Sequence, residues 1–493
     1  MPTQQPTPRS GWIAGVIAML GVLVTLRMLT PLTGIRPLAE SLADGVLLIV
    51  PVNVFNWLKT TLGDQAKTWL YIGIMLGFLV LGAALGRWIC SDGKRWYARL
   101  YQAAAGLFVL AISLLYVLDR RQLEDFFMLT VATLAIAAFV FSWVVHALLK
   151  LPSALDDPSP ARRRAIGTII TAAGAMVLSV DTWQLWQKQA ATSATPTEDE
   201  VTEAITPTRS FYRISKNFVD PENDRGPDWS INISGVVNNP GEWTQLQLAE
   251  LGFDHSISTM LCISYQVGGS LIGTAEWSGT PLAAVLDAVG ASGDFVMFHG
   301  ADGYDTSVPM DRCRHEQAFL VWGMNGEPLP REHGAPVRAI IPGLYGMKSV
   351  KWLTGIEVLN EDKHGFWEQR GWSNTALVKP MSRIDFPART SSLTEGTIPI
   401  RGVAFGGDAG VARVEISVDG GSSWSDARIT EQPNPDGVAW SLWQYDWQAE
   451  GGAHELVVRM IGIDDSVQTD ETASPLPDGS SGWHRVQVFV NRA

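Results

Sequence analysis

Thr259-Met260-Leu261-Cys262-Ile263-Ser264 runs on to Gly268-Gly269 and then to Gly273-Thr274-Ala275-Glu276-Trp277-Ser278-Gly279-Thr280-Pro281-Leu282. The first segment is apolar enough for a buried strand, and it delivers one thiol to the edge of a glycine-rich turn. A lone cysteine is ordinarily a small buried hydrophobe. Here the following glycines let backbone approach a bulky ligand closely. A soft thiolate so placed suits a metal that accepts sulfur ligands.

The chain has 493 residues, room for more than one domain, and its two parts are unlike. Before residue 185 it is mostly apolar runs; beyond it the composition is that of a mixed globular protein. A net charge of −13 argues against nucleic acid as a partner. Three cysteines, Cys90, Cys262 and Cys313, are too few for a disulfide framework. Cys90 beside an apolar run and Cys313 without ligand-like neighbours read as packed thiols.

Five apolar runs, at 12–29, 69–85, 100–118, 127–149 and 165–180, have the length of membrane spans. The stretch 46–58, broken by Pro51, Asn53 and Asn56, reads as an interfacial or re-entrant helix. Trp12, Trp57, Trp69, Trp88 and Trp96 fall near run ends, as interfacial anchors do. Arg87, Lys94, Arg95 and Arg99 in one loop, and Lys150 with Arg162, Arg163 and Arg164 in another, orient both loops to the cytoplasm. The last span then leaves everything after it outside. Arg162-Arg163-Arg164 ahead of an apolar run reads equally as a twin-arginine export signal or as a positive-inside cluster. His146 is the only histidine in any span and there is no Cys-x-x-Cys-His, so no haem is expected in this chain.

Residues 187–208 read as a linker. Phe211-Tyr212-Arg213-Ile214 opens the next part, and Trp229 to Gly241 alternates apolar and polar residues into an Asn-Pro-Gly turn, a strand signal. Further alternation with short helices, such as residues 281–289, predicts an α+β domain. His333-Gly334-Ala335-Pro336-Val337-Arg338 and Ile341-Pro342-Gly343-Leu344-Tyr345-Gly346-Met347-Lys348-Ser349-Val350-Lys351-Trp352-Leu353 gather cations and glycine-flanked backbone. Such groups suit a phosphate-bearing ligand, and on the residues alone they read also as a solvated basic strand edge. From about residue 378, Val414/Ile416/Val418 and Val486/Val488/Val490 alternate with polar residues between Gly and Pro turns, predicting an antiparallel β-sandwich.

These segments resemble the sulfite oxidase-like molybdopterin oxidoreductases over roughly residues 209–493. The strand ending in Cys262 is similar to the family's molybdenum-binding strand. Trp277, Gly279 and Leu282 match its W-x-G-x-x-L pattern, and the His333 and Gly346–Trp352 segments match its pterin-binding patterns. Val414 to Gly421, Trp440/Trp443/Trp447 and Trp483-His484-Arg485-Val486 are similar to its immunoglobulin-like dimerisation domain. The apolar runs and the polar stretch after them give a membrane bundle at 1–186 and a linker at 187–208, and the resemblance implies a molybdopterin domain at 209–377 and an immunoglobulin-like domain at 378–493. It implies molybdenum on a mononucleotide-free molybdopterin, with Cys262 as the metal ligand. Tyr212, His333, Arg338, Gly346, Met347, Lys348, Ser349 and Lys351 are the implied cofactor contacts, and Arg213 and His364 the further catalytic residues. A membrane-anchored enzyme facing outside the cytoplasm is expected, with a small oxo donor or acceptor as substrate. Electrons would pass to a separate protein or a quinone, and the chain would pair as a homodimer.

The chain departs from sulfite oxidases where they hold their anion. Val267 and Leu476 stand at two arginine positions, His364 at the tyrosine position, and Tyr265 replaces an asparagine. Fewer bidentate donors weaken the grip on a small dianion, so a sulfoxide or another oxo acceptor is expected in place of sulfite. A non-catalytic membrane-anchored scaffold is the alternative, against which Cys262 and the retained cations argue.

Overall fold

The computed structural model describes residues 8–33, 42, 54, 66–92, 95–118, 127–149, 203–217, 220–221, 229–388, 392–435 and 438–492. The expected fifth span, the Arg162–Arg164 cluster, residues 187–202 and, Val54 apart, the 46–58 stretch lie outside them. The chain divides into two compact units: residues 1–189 with 216–219, and residues 190–215 with 220–493.

In the first unit four of the five apolar runs are helices: α1 (Pro8–Thr33), α2 (Ala66–Cys90), α3 (Trp96–Leu118) and α4 (Phe127–Leu149). Trp69–Cys90 and Thr130–Ala147 are each long and apolar enough to cross a membrane. α1 packs on both α2 and α4, and α3 packs on α4. The α1–α2 crossing is made by glycine. Gly11 and Gly15 face Gly86 and Gly82, and a Cβ at any of the four would strike the backbone opposite. This is the close approach that small residues four apart permit. Arg99 closes the α2–α3 turn, donating to the Trp88 carbonyl at 3.1 Å and facing Asp92 at 3.7 Å. A cation on the last carbonyls of a helix satisfies groups that have no partner within it.

The second unit is built from strands. One sheet has the order β2 (Gly241–Thr244), β1 (Ser230–Gly235), β10 (Leu353–Leu359), β5 (Phe295–Gly300) and β6 (Asp305–Pro309). Its β1–β10 pair is parallel and the others are antiparallel. A second sheet runs β3 (Asp254–Leu261), β4 (Ile272–Pro281), β7 (Phe319–Met324) and β8 (Glu327–Pro328), with β9 (Arg338–Ile340) on the free side of β7. Helix α5 (Gln245–Glu250) starts on a capping box between Thr244 and Gln247, a sequence-local start signal. Helix α6 (Leu282–Ala288) buries Leu282, Val285 and Leu286, the i, i+3, i+4 stripe of an amphipathic helix. They join Ile231, Ile233, Val296, Phe298 and Ile356 in one apolar core. The expected strand after Trp229 and the helix within 281–289 are both present.

The C-terminal strands order as β11 (Met381–Phe386), β13 (Gly396–Phe405), β16 (Ser441–Ala449), β15 (Ser425–Glu431), β14 (Arg413–Ser417), β17 (Gly452–Ile461), β18 (His484–Asn491) and β12 (Ser392–Thr394). Only β12–β18 is parallel. Val486, Val488 and Val490 alternate inward as expected, into one cluster with Ile398, Ile400, Val414, Ile416, Trp443 and Trp447. That cluster draws on both ends of the strand order, and its tryptophans are core.

Candidate functional site

Cys262 is the first residue past β3, and the β3–β4 register places it where its N–H donates to the Leu271 carbonyl at 3.0 Å. Its Sγ lies 3.1 Å from Ser264 Oγ. The thiol is buried among Phe211, Tyr212, Met260, Ala275 and Trp277. The aromatic arm of the sequence is therefore one wall of the thiol's surroundings. Phe211 stacks on Tyr212 and meets Trp277 and His333 edge-on. Residues 204–208, the end of the expected linker, are docked there. Thr206 N–H donates to Thr274 O at 2.8 Å, and Trp440 Nε1 donates to Ala204 O at 2.8 Å.

The cations of the second motif converge on the same wall. Arg338 is 3% exposed; its guanidinium lies 5.3 Å from the Trp277 ring centre and donates to His333 O at 2.9 Å and Ser349 O at 3.0 Å. Burial lowers its pKa to about 10. His333 donates from Nε2 to Thr208 O at 3.1 Å, and burial together with Arg338 lowers its pKa to about 4, so the ring is neutral. Lys351 reaches Glu332 O at 3.3 Å. Burial, then Arg338 and Arg213, bring it down to about 7 against the pull of Asp220 and Asp302. Gly346 admits Tyr212 and Met260 so closely that a Cβ there would lie 2.7 Å from the tyrosine oxygen. Ser349 Oγ accepts from Ile341 N–H at 3.1 Å, and Met347 O accepts from Tyr304 Oη at 2.6 Å.

The remaining sequence candidates sit differently. Lys348 is wholly buried, 2.6 Å from Glu368 Oε1 and donating to Ser307 O at 2.8 Å. Arg213 is ion-paired with the buried Asp220. Burial pushes the Asp220 carboxyl up, and Lys351 and Arg213 more than reverse it. His364 is exposed, with its carbonyl accepting from Gln369 Nε2 at 2.7 Å. The described contacts do not join its ring to the cluster around Cys262.

Sequence reasoning missed the carboxylates that answer these cations, Asp220, Asp302 and Glu368, because nothing in spacing marks a long-range ion pair. It also passed over Tyr304 and gave Tyr345 no role; with Tyr212, an expected cofactor contact, both lie within electrostatic reach of the Cys262 thiol. Burial and then Cys262 or neighbouring carboxylates raise Tyr212 and Tyr304 well above the usual phenol range; Tyr345 rises to about 12.

Two buried donors in this wall, Arg338 Nε and Trp277 Nε1, have no hydrogen-bond partner among the described residues. Buried polar groups are nearly always paired, so orphaned donors beside cations of lowered pKa fit an anionic, acceptor-rich group. Together with one thiol they fit a phosphate-bearing cofactor that carries a thiophilic metal.

Residues 218–367 match the family described as oxidoreductase molybdopterin binding domain, and residues 373–491 match the Mo-co oxidoreductase dimerisation domain. The mitochondrial sulfite oxidase of Homo sapiens is 30% identical over 353 residues, covering 61% of this chain and 64% of that protein. The sulfite oxidase of Arabidopsis thaliana is 26% identical over 356 residues, covering 59% of this chain and 90% of that protein. The sulfane dehydrogenase SoxCD from Paracoccus pantotrophus superposes with a TM-score of 0.52 and 22% identity, over 58% of this chain and 82% of that one, a likeness of fold. The chain thus spans 64% of the length of the human relative. The thiol, the orphaned donors around it and the two matched domains agree, and residues 218–491 belong to the sulfite oxidase-like molybdopterin oxidoreductases.

Proposed function

We propose that this chain is a membrane-anchored oxidoreductase that moves an oxygen atom to or from a small, weakly charged substrate outside the cytoplasm. The observation that carries the reading is the buried Cys262 thiol in one cluster with Trp277, over whose ring lies Arg338 with an Nε that has no partner among the described residues. Tyr212, His333, Arg338, Gly346, Met347, Ser349 and Lys351 would hold a mononucleotide-free molybdopterin, and Cys262 would ligate its molybdenum. Lys348 would support this cradle from inside, through Glu368. The bound metal supplies the two-electron redox change and the oxygen-atom transfer. The protein's own part is to neutralise the cofactor's phosphate, exclude water and hold the thiolate in place. Arg213 and His364 complete the proposed site on the substrate side, by their positions in the motifs.

The substrate class follows from charge. Val267 and Leu476 offer no cation, and Arg213 is already answered by Asp220. A dianion such as sulfite would gain little there, whereas a sulfoxide would lose little. The purified full-length enzyme, assayed with sulfite plus an artificial electron acceptor and with sulfoxides plus an artificial electron donor, is expected to reduce a sulfoxide and turn over sulfite slowly. Fast sulfite oxidation would overturn the substrate assignment.

Membrane anchoring is supported by apolar side chains that face outward from the helices: Leu76, Val80, Val109, Leu110, Ile136 and Phe139. Trp12, Trp69 and Trp88 are likewise exposed near helix ends, and Arg87, Arg95 and Arg99 mark a cytoplasmic loop. On this reading the chain is multi-pass and carries no haem. Its C-terminal domain is an immunoglobulin-like sandwich that pairs two copies, and a separate protein or a quinone exchanges electrons with the metal, supplying two when a sulfoxide is reduced and taking two when a substrate is oxidised. The scaffold alternative gives no reason for orphaned donors beside buried cations.

A further inference from the structure

The turn that carries Cys262 is bonded partly within itself, Cys262 N–H donating to Leu271 O at 3.0 Å and Ile272 N–H to Ser270 O at 2.9 Å. Tyr265 N–H donates to Cys262 O at 2.9 Å, Gly269 N–H to Gln266 O at 2.7 Å and Gly268 N–H to Tyr265 Oη at 3.1 Å. Further constraints reach it from the C-terminal domain. Arg383 Nη1 donates to Gly269 O at 2.7 Å, and Ser480 Oγ donates to Tyr265 O at 2.7 Å. The imidazole of His484 lies against Gly268, so closely that a Cβ on the glycine would strike the ring. The strand leading into the turn is held from the same side. Thr259 N–H donates to Val438 O at 2.9 Å, Trp440 N–H to Thr259 Oγ1 at 2.8 Å and Asn434 Nδ2 to Ile257 O at 2.8 Å.

Both side chains that touch the turn are themselves fixed. Asp385 takes Arg383 in a two-point grip, Nε to Oδ1 at 2.5 Å and Nη2 to Oδ2 at 3.3 Å, with both side chains 9% exposed. A planar guanidinium so held points its remaining Nη1–H in one direction. His484 Nδ1 accepts from Ile384 N–H at 3.0 Å, which leaves the ring proton on Nε2, facing Gly268. Gly268 has φ +81°, a conformation only glycine adopts without strain, and it has no side chain to push the ring away.

We propose that Arg383 and His484 are positioning residues for the metal ligand: the C-terminal domain, besides any part in pairing subunits, sets where the Cys262 thiolate stands. This rests on the reading of Cys262 as the molybdenum ligand. Groups that orient a ligand without touching the metal alter its electronic structure and typically cost 10–100-fold in activity or affinity when removed.

The test uses detergent-solubilised full-length holoenzyme and the electron paramagnetic resonance spectrum of its Mo(V) form. Arg383→Gln and His484→Ala are expected to retain pterin, to shift the Mo(V) g-values, and to lower kcat about 10- to 100-fold with KM within about twofold. Arg383→Lys is expected to fall between these and wild type. Gly268→Ala should cost more in the wild-type background than in His484→Ala, because the ring it strikes is gone. That comparison holds even where Arg383→Gln fails to fold. Wild-type spectra and kcat in Arg383→Gln and His484→Ala, or strictly additive effects of Gly268→Ala and His484→Ala, would overturn the proposal. A spectrum insensitive to Cys262→Ser sinks the ligand assignment itself; one sensitive to Cys262→Ser and blind to Arg383→Gln sinks only the positioning role.

Discussion

The helical unit and the strand-built unit place their apolar and charged groups in opposite ways. In the helices, Phe139 is 68% and Val80 69% exposed, while glycines and alanines share the contacts between them with Ile89, Leu100, Phe141 and Val145. Among the described residues of the four helices, the buried polar side chains are Thr130 and Thr133. In the second unit most large apolar residues are inside, and with them Arg338, Lys348, Glu368 and Arg383. Buried charge is costly wherever it stands and persists where it is paired or awaits a ligand. The difference places the buried charges in the second unit and supports the proposed anchoring of the first in a membrane.

The sharpest way to break this division is to remove its thiol. Cys262→Ser is expected to lower turnover by more than about 100-fold, beyond what loss of supporting groups alone reaches, while most of the pterin stays bound. Retained activity would remove the metal ligand from the argument; molybdenum and pterin quantification with steady-state assay is the measurement.

Next is the buried pair. Lys348→Met alone leaves Glu368 uncompensated and is expected to destabilise the protein by about 3–5 kcal/mol. Lys348→Met with Glu368→Leu should recover most of it. Thermal unfolding followed by near-ultraviolet circular dichroism reads both, and a double variant as unstable as the single one would show that the pair is not the unit.

In the helices, Gly15→Val should force α1 from α2 and cost about 1–3 kcal/mol, the range for overpacking a close contact. Gly77→Val, at a glycine with open space around it, is the control and should cost far less. Equal effects would mean that the glycine crossing does not hold the bundle.

The smallest effect is a pH dependence. Lys351 titrates near 7 in the folded, cofactor-free protein, below its ordinary value of 10.5. The unfolded chain therefore binds more protons between these values, and stability without cofactor should rise with pH across that window. A phosphate prefers the charged ammonium, so cofactor affinity should fall over the same range, by at most about tenfold per pH unit. His333 and His484, both lowered to about 4, act at the acid end, where stability should fall from pH 6.5 toward 4. Affinity that is flat between pH 7 and 9 would separate Lys351 from the phosphate.

Much of this protein was legible along the chain. Apolar runs are local, so α1 to α4 were visible, and alternation is local, so the Trp229 strand and β18 were visible. Cys262, Trp277 and the His333–Lys351 motif stood out through their resemblance to one family; on the residues alone the cations read also as a solvated basic strand edge. What folding alone decided is which charges meet. Lys348 stands in a cofactor-like motif, yet its nearest charge is Glu368, twenty residues on and unmarked by any pattern. Arg213 carries a cation into the site only to be answered by Asp220. Arg383 and His484 lie more than a hundred residues from the turn they touch. Electrostatic and packing partners are chosen by distance in space, and strand pairing across the sheets sets that distance.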